Sequence, residues 1–103
     1  MPDTIVAVAT APMRSAIGIL RLSGGQSIQL VSSLFRPANG FSLIEAENRK
    51  LVYGTLYDEE GTILDRCLAT ISRAPNSYTG EDTAEVQCHG SPLLLSRAMR
   101  ALL

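Results

Sequence analysis

Two runs rich in Val, Ile, Leu, Tyr and Thr, Leu51–Tyr57 and Thr62–Ser72, are separated only by Asp58-Glu59-Glu60-Gly61. Such residues fit a pleated, half-buried surface, and an acidic stretch ending in Gly closes a turn. The segment therefore predicts a β-hairpin with a four-residue connection. A two-stranded hairpin is marginal in water by itself, so it requires further strands or a helix against one face.

The rest of the chain supplies both. Thr4–Ala9 and Ile17–Leu22 read as short strands, with Thr10–Ala16 between them a loop set by Pro12. Ser23-Gly24-Gly25 breaks the second strand. Ile28, Val31, Leu34 and Phe35 then recur at helical spacing, which predicts an amphipathic helix over residues 26–35, stopped by Pro37 and Asn39-Gly40. Asn39–Asn48 reads as a loop of mixed polarity, as does Pro75–Asp82, and Thr83–His89 reads as a strand. Ser91 stands where an N-cap belongs, with Pro92 at the first helical position. Leu94, Leu95, Ala98, Met99 and Leu102 give the last helix its apolar face. The order β-β-α-β-β-β-α predicts an α+β fold, a mostly antiparallel sheet packed with two helices. The final helix meets no Gly, Asn or Pro, so the chain is expected to be the front of a longer protein, cut in or just after a helix.

At 103 residues the chain fits one small domain. Nine basic against ten acidic side chains leave a net charge of −1, and the eight arginines are scattered along the sequence. Direct binding of RNA or DNA by this piece is not expected. The first residues lack a basic n-region and no apolar stretch is long enough to span a bilayer, so the expected location is the cytoplasm, away from membranes. Cys67 and Cys88 are then expected as reduced, buried thiols within strands.

Pro75–Gly90, reading P-N-S-Y-T-G-E-D-T-A-E-V-Q-C-H-G, gathers Glu81, Asp82, Glu85, Cys88 and the only histidine, His89. Strand alternation puts Glu85, Gln87 and His89 on one face and Ala84, Val86 and Cys88 on the other. In Ile17–Leu22 it puts Arg21 with Ile17 and Ile19, where an unpaired guanidinium is costly to desolvate. A carboxylate at Glu85 could accept two parallel N–H bonds from a planar donor pair, as in an amidine, guanine or pterin ring, with Arg21 answering a carbonyl or carboxylate of the same ligand. The residues alone favour the plainer alternative, in which Arg21 and Glu85 pair with each other or face solvent, since structural ion pairs also cluster charges.

Other signals are weaker. Cys88 and His89 are adjacent on a strand and face opposite sides, and there is no C-x-x-C, second histidine or H-E-x-x-H, so neither a zinc site nor a thiol–imidazole pair is expected. A lone His before Gly at a strand end reads as a structural hydrogen-bonding residue. Gly24-Gly25 lacks G-x-G-x-x-G spacing and reads as a tight turn. No G-x-x-x-x-G-K-[ST] occurs, so no P-loop hydrolysis of a nucleoside triphosphate is expected from these residues.

Asp3–Pro12 (D-T-I-V-A-V-A-T-A-P), Ile17–Gly24 (I-G-I-L-R-L-S-G) and Pro75–Gly90 together resemble the N-terminal domain of the tRNA-modification GTPase family MnmE, also called TrmE. The resemblance implies a domain over residues 1–103 that binds a tetrahydrofolate derivative, 5-formyl-tetrahydrofolate, and forms a homodimer, with a fold similar to the folate-binding domain of aminomethyltransferases. It implies Arg21 and Glu85 as folate contacts, with no catalytic residue and no metal in this piece. A further folate-contacting lysine and a cysteine motif of the family would lie beyond Leu103. In the parent protein, a helical domain and a G domain using GTP, magnesium and potassium would follow. A flavoprotein of the MnmG (GidA) family would be the partner in modifying the wobble uridine of tRNA, which is reached through the full complex. The family loop P-P-G-R-G is replaced here by Ala11-Pro12-Met13-Arg14-Ser15-Ala16, and H-G-G by His89-Gly90-Ser91. The alternatives are an aminomethyltransferase-like folate-dependent one-carbon transfer protein and a non-catalytic interaction domain.

Overall fold

A computed structural model describes residues 4–8, 15–74 and 80–103. The loop around Pro12, with Arg14, and the stretch 75–79 lie outside the described residues. Six strands and two helices are formed among the others: β1 (Ile5–Val8), β2 (Ser15–Ser23), α1 (Ser27–Leu34), β3 (Phe35–Pro37), β4 (Val52–Tyr57), β5 (Ile63–Ser72), β6 (Thr83–Gly90) and α2 (Pro92–Leu102). The strands make one sheet in the order β1-β2-β6-β5-β4-β3, and every neighbouring pair is antiparallel. The fold is the α+β sheet with two helices that the patterning predicts. β6 joins the strand pair β1–β2 to the hairpin β4–β5, so the segment richest in chemical groups runs through the middle of the sheet.

Alternation decides what the sheet buries. Leu20 and Leu22 of β2, Ala84, Val86 and Cys88 of β6, and Ala69 and Ile71 of β5 form one core with Ile28 and Val31 of α1 and Leu95, Ala98 and Leu102 of α2. Each fully buried large side chain contributes about 1.5–3 kcal/mol. Both helices serve this one face. Gly18 lets α2 come close, because a Cβ there would stand 2.8 Å from the Leu95 methyls. At the start of α2, Ser91 Oγ accepts from the Leu94 N–H at 3.4 Å and Pro92 holds the first turn, as predicted.

The Gly24-Gly25 segment is a turn. Gly24 has φ +132°, and a Cβ on it would meet the Thr4 backbone at 2.7 Å. Its N–H donates to Asp82 O, and Ser27 Oγ lies 2.8 Å from Gly24 O and 2.9 Å from Asp82 O, tying α1 to the entry of β6. The hairpin turn is organised by Asp58, whose Oδ1 accepts the N–H groups of Glu60 and Thr62 at 2.9 Å.

Two elements depart from the predicted order. The helix ends at Leu34, and Phe35–Pro37 form an edge strand against β4. Proline is tolerated there because an edge strand need not donate from both sides. Phe35 is buried against Gly54 rather than on the helix face. Within the predicted loop 39–48, Leu43–Glu45 make a 3-10 turn closed by a reciprocal cap: Ile44 N–H donates to Ser42 Oγ and Ser42 N–H to Glu45 Oε1.

Candidate functional site

The face of the sheet opposite the helices carries the polar side of β6. Its register builds transverse rows. Ala7, Arg21, Glu85 and Thr70 pair successively across β1, β2, β6 and β5. The next row holds Ile19, Gln87, Leu68 and Tyr53. Beyond it, Ile17 pairs with His89, and Arg66, Thr55 and Arg36 pair across β5, β4 and β3.

Arg21 and Glu85 are thus brought face to face. Arg21 Nε donates to Glu85 Oε2 at 3.3 Å, and Gln87 Nε2 lies 3.5 Å from Glu85 Oε1. The side chains are 48% and 21% exposed. The desolvation expected for Arg21 among isoleucines does not arise, because among the described residues no helix covers this face: Ile17 itself is 56% exposed. Both contacts are long and reach solvent, so the pair is a weak, exchangeable ion pair. It leaves a carboxylate and a guanidinium side by side on the open face. Beside Glu85 lies Thr70, whose Oγ is buried with no hydrogen-bond partner among the described residues.

His89 and Cys88 separate as alternation requires. His89 is 75% exposed and its Nδ1 lies 2.9 Å from both carboxylate oxygens of Asp65, which also accepts the His89 backbone N–H at 2.9 Å. The β5–β6 ladder ends at Leu68–Gln87, and the Asp65 carboxylate takes over there as acceptor for β6. His89 is thus hydrogen-bonded to β5 through both its backbone and its ring. Cys88 lies on the helix face, 3.6 Å from Gly18 O. Both cysteines are buried free thiols. Burial first, then the neighbouring Cys88 and Asp65, pushes Cys67 up to about 12, and burial followed by Asp65 pushes Cys88 up to about 11. Neither forms a nucleophilic thiolate at neutral pH.

The other charged groups of the Pro75–Gly90 segment are structural or at its margin. Asp82 Oδ1 accepts the Ala74 N–H at 2.8 Å, and Glu81 Oε2 lies 3.1 Å from Ser23 Oγ. A groove of about 600 Å³ opens elsewhere, at the β3–β4 edge, between Phe41, Leu51 and Tyr53. Its charges are already engaged, Glu45 in the 3-10 cap and Glu47 with Lys50 at 2.9 Å. Among the described residues no cluster of three His, Cys, Asp or Glu is set to hold a metal ion, and no helix is long and apolar enough to cross a membrane. Asp65 and Thr70 gave no sequence signal, since their roles depend on strand neighbours distant in the chain.

Residues 4–103 match the family model described as the GTP-binding protein TrmE N-terminus. The chain is similar to the tRNA modification GTPase MnmE of Clostridioides difficile, 41% identical over 101 residues, covering 98% of this chain and 22% of that protein. It is likewise 41% identical over 104 residues to that of Moorella thermoacetica, covering 100% and 22%. To that of Salinibacter ruber it is 45% identical over 101 residues, covering 98% and 21%. The chain spans about a fifth of the length of these curated relatives.

Proposed function

Because the chain belongs to the TrmE N-terminus family, we propose that it is the tetrahydrofolate-derivative-binding and homodimerisation domain of a tRNA-modifying GTPase, with Arg21 and Glu85 as the folate contacts. The observation that carries the reading is the in-register placement of these two side chains on the uncovered sheet face, joined by one long contact. A pteridine ring presents adjacent N–H donors and a carbonyl along its edge. Glu85 accepts the donors as a pair, and the Arg21 guanidinium donates to an oxygen of the ligand. The ion pair is then exchanged for two charge-assisted contacts, at small cost because it is already solvated.

In this reading the domain performs no bond chemistry. It presents a one-carbon folate to a larger assembly, in which GTP hydrolysis with magnesium and potassium and the reaction at the tRNA wobble uridine, with a flavoprotein partner of the MnmG (GidA) family, belong to other parts. Calorimetry with 5-formyl-tetrahydrofolate on the protein and on its Arg21→Ala and Glu85→Gln variants tests the site. Micromolar or tighter binding by the wild type, weakened at least tenfold in each variant, is expected. Equal affinity in all three sinks the assignment. Sedimentation with and without the folate tests the dimer.

A further inference from the structure

The open face carries three kinds of row in a fixed order. First comes the polar row of Arg21 and Glu85, then a largely apolar row with Ile19, Leu68 and Tyr53, then a row in which Arg66 and Arg36 flank Thr55. Successive same-face residues rise about 6.7 Å, so the first and third rows lie roughly 13 Å apart along the strands. Arg66 is exposed, and among the described residues its guanidinium has no hydrogen-bonding or ionic partner. Arg36 is likewise exposed and lies over the Tyr57 ring at 5.4 Å, and among the described residues its guanidinium has no hydrogen-bonding or ionic partner. The neighbouring acid, Asp65, is spent on His89. The arginines come from positions thirty residues apart, which is why they read as scattered in the sequence.

A folate has the same order of parts: a pteridine ring, an aminobenzoyl ring, then a glutamate with free carboxylates, lengthened in cells by γ-linked glutamates. Resting on the folate reading above, we propose that the open face is also a tail site, in which Arg66 binds the carboxylates of the first glutamate and Arg36 those of added glutamates, the aminobenzoyl ring lying over Ile19 and Leu68. Arg66 can grip a carboxylate bidentately, and the row continues two strands further to Arg36, the direction an extended tail must take. The site therefore discriminates folates by their tails as well as by their rings.

The test compares three ligands of one oxidation state, 5-formyl-tetrahydropteroate (which lacks glutamate), its monoglutamate and its triglutamate, by calorimetry on the wild type, Arg66→Gln and Arg36→Gln. The wild type is expected to bind the monoglutamate about tenfold more tightly than the pteroate, the size of one charge-assisted contact, and the triglutamate more tightly again. Arg66→Gln should remove the first step and leave pteroate affinity unchanged; Arg36→Gln should remove only the second. Equal wild-type affinity for all three overturns the tail site while leaving the folate reading intact. An Arg66→Gln loss shared equally by the three also overturns it, since it places Arg66 at the ring. A wild type that binds none of them fails the folate reading, and the tail site with it.

Discussion

Arg21 and Glu85 stand opposite each other on β2 and β6, and the guanidinium reaches the carboxylate through Nε at 3.3 Å. Exposed pairs of this kind contribute about 0–1 kcal/mol. Glu85→Gln should therefore move Tm by no more than about 5 °C. It should still weaken 5-formyl-tetrahydrofolate binding at least tenfold, because an amide cannot accept two parallel N–H bonds. Thermal melting beside calorimetry checks both. A large loss of Tm with unchanged affinity makes the pair a structural bridge.

Thr70 is expected to behave in the opposite sense to an ordinary core polar residue. Its Oγ is buried without a partner among the described residues, a condition that costs stability. Thr70→Val keeps the shape and removes the unsatisfied hydroxyl, so the midpoint of urea unfolding should hold or rise. If the hydroxyl serves the ligand bound at Glu85, folate affinity should fall several-fold in the same variant, and Thr70→Ser should restore it. A destabilised Thr70→Val reveals an internal partner and removes Thr70 from the site.

Gly54 is fixed by packing. A Cβ there would collide with the Arg36 carbonyl oxygen and come within 2.7 Å of the Phe35 ring. Neither can move freely, because Arg36 pairs with Thr55 and Phe35 is 1% exposed. Gly54→Ala is expected to cost about 3 kcal/mol, read from urea unfolding, by prying β3 from β4. A cost below about 1 kcal/mol shows that the edge strand contributes little.

How far the sequence reaches can be judged from the same residues. Period-two alternation correctly divides Glu85, Gln87 and His89 from Ala84, Val86 and Cys88, because a one-residue error would bury the charges. Alternation says which residues share a face but not whether anything covers it. Arg21, which alternation groups with Ile17 and Ile19, therefore reads as sitting in an apolar setting, whereas it lies on an open face. Phe35 sits at helical spacing after Val31, yet the bare approach offered by Gly54 draws it into a strand, a tertiary preference with no local signature. Ser42-Leu43-Ile44-Glu45 did carry a local signature, the S-x-x-E of a capping box. The rows that juxtapose Arg66 with Arg36, or Thr70 with Glu85, follow from the placing of β6 between β2 and β5, which no single segment encodes.

The buried thiols give a pH dependence of definite sign. In the unfolded chain a cysteine ionises near its ordinary value of 9.0, whereas in the fold Cys88 holds its proton to about 11 and Cys67 to about 12. Below the unfolded value both states are protonated and the thiols leave stability level. Above it the unfolded chain binds fewer protons, so unfolding free energy falls with pH, and it goes on falling until the folded thiols ionise in turn. Each thiol contributes up to about 1.4 kcal/mol per pH unit in that window. Urea unfolding of the wild type should therefore lose about 2 kcal/mol more between pH 9 and 10 than a Cys67→Ala/Cys88→Ala variant. The variant will itself be less stable from lost packing, but the slope, not the level, is the readout. Parallel slopes would mean that the thiols ionise as readily folded as unfolded, which their burial in the core opposes.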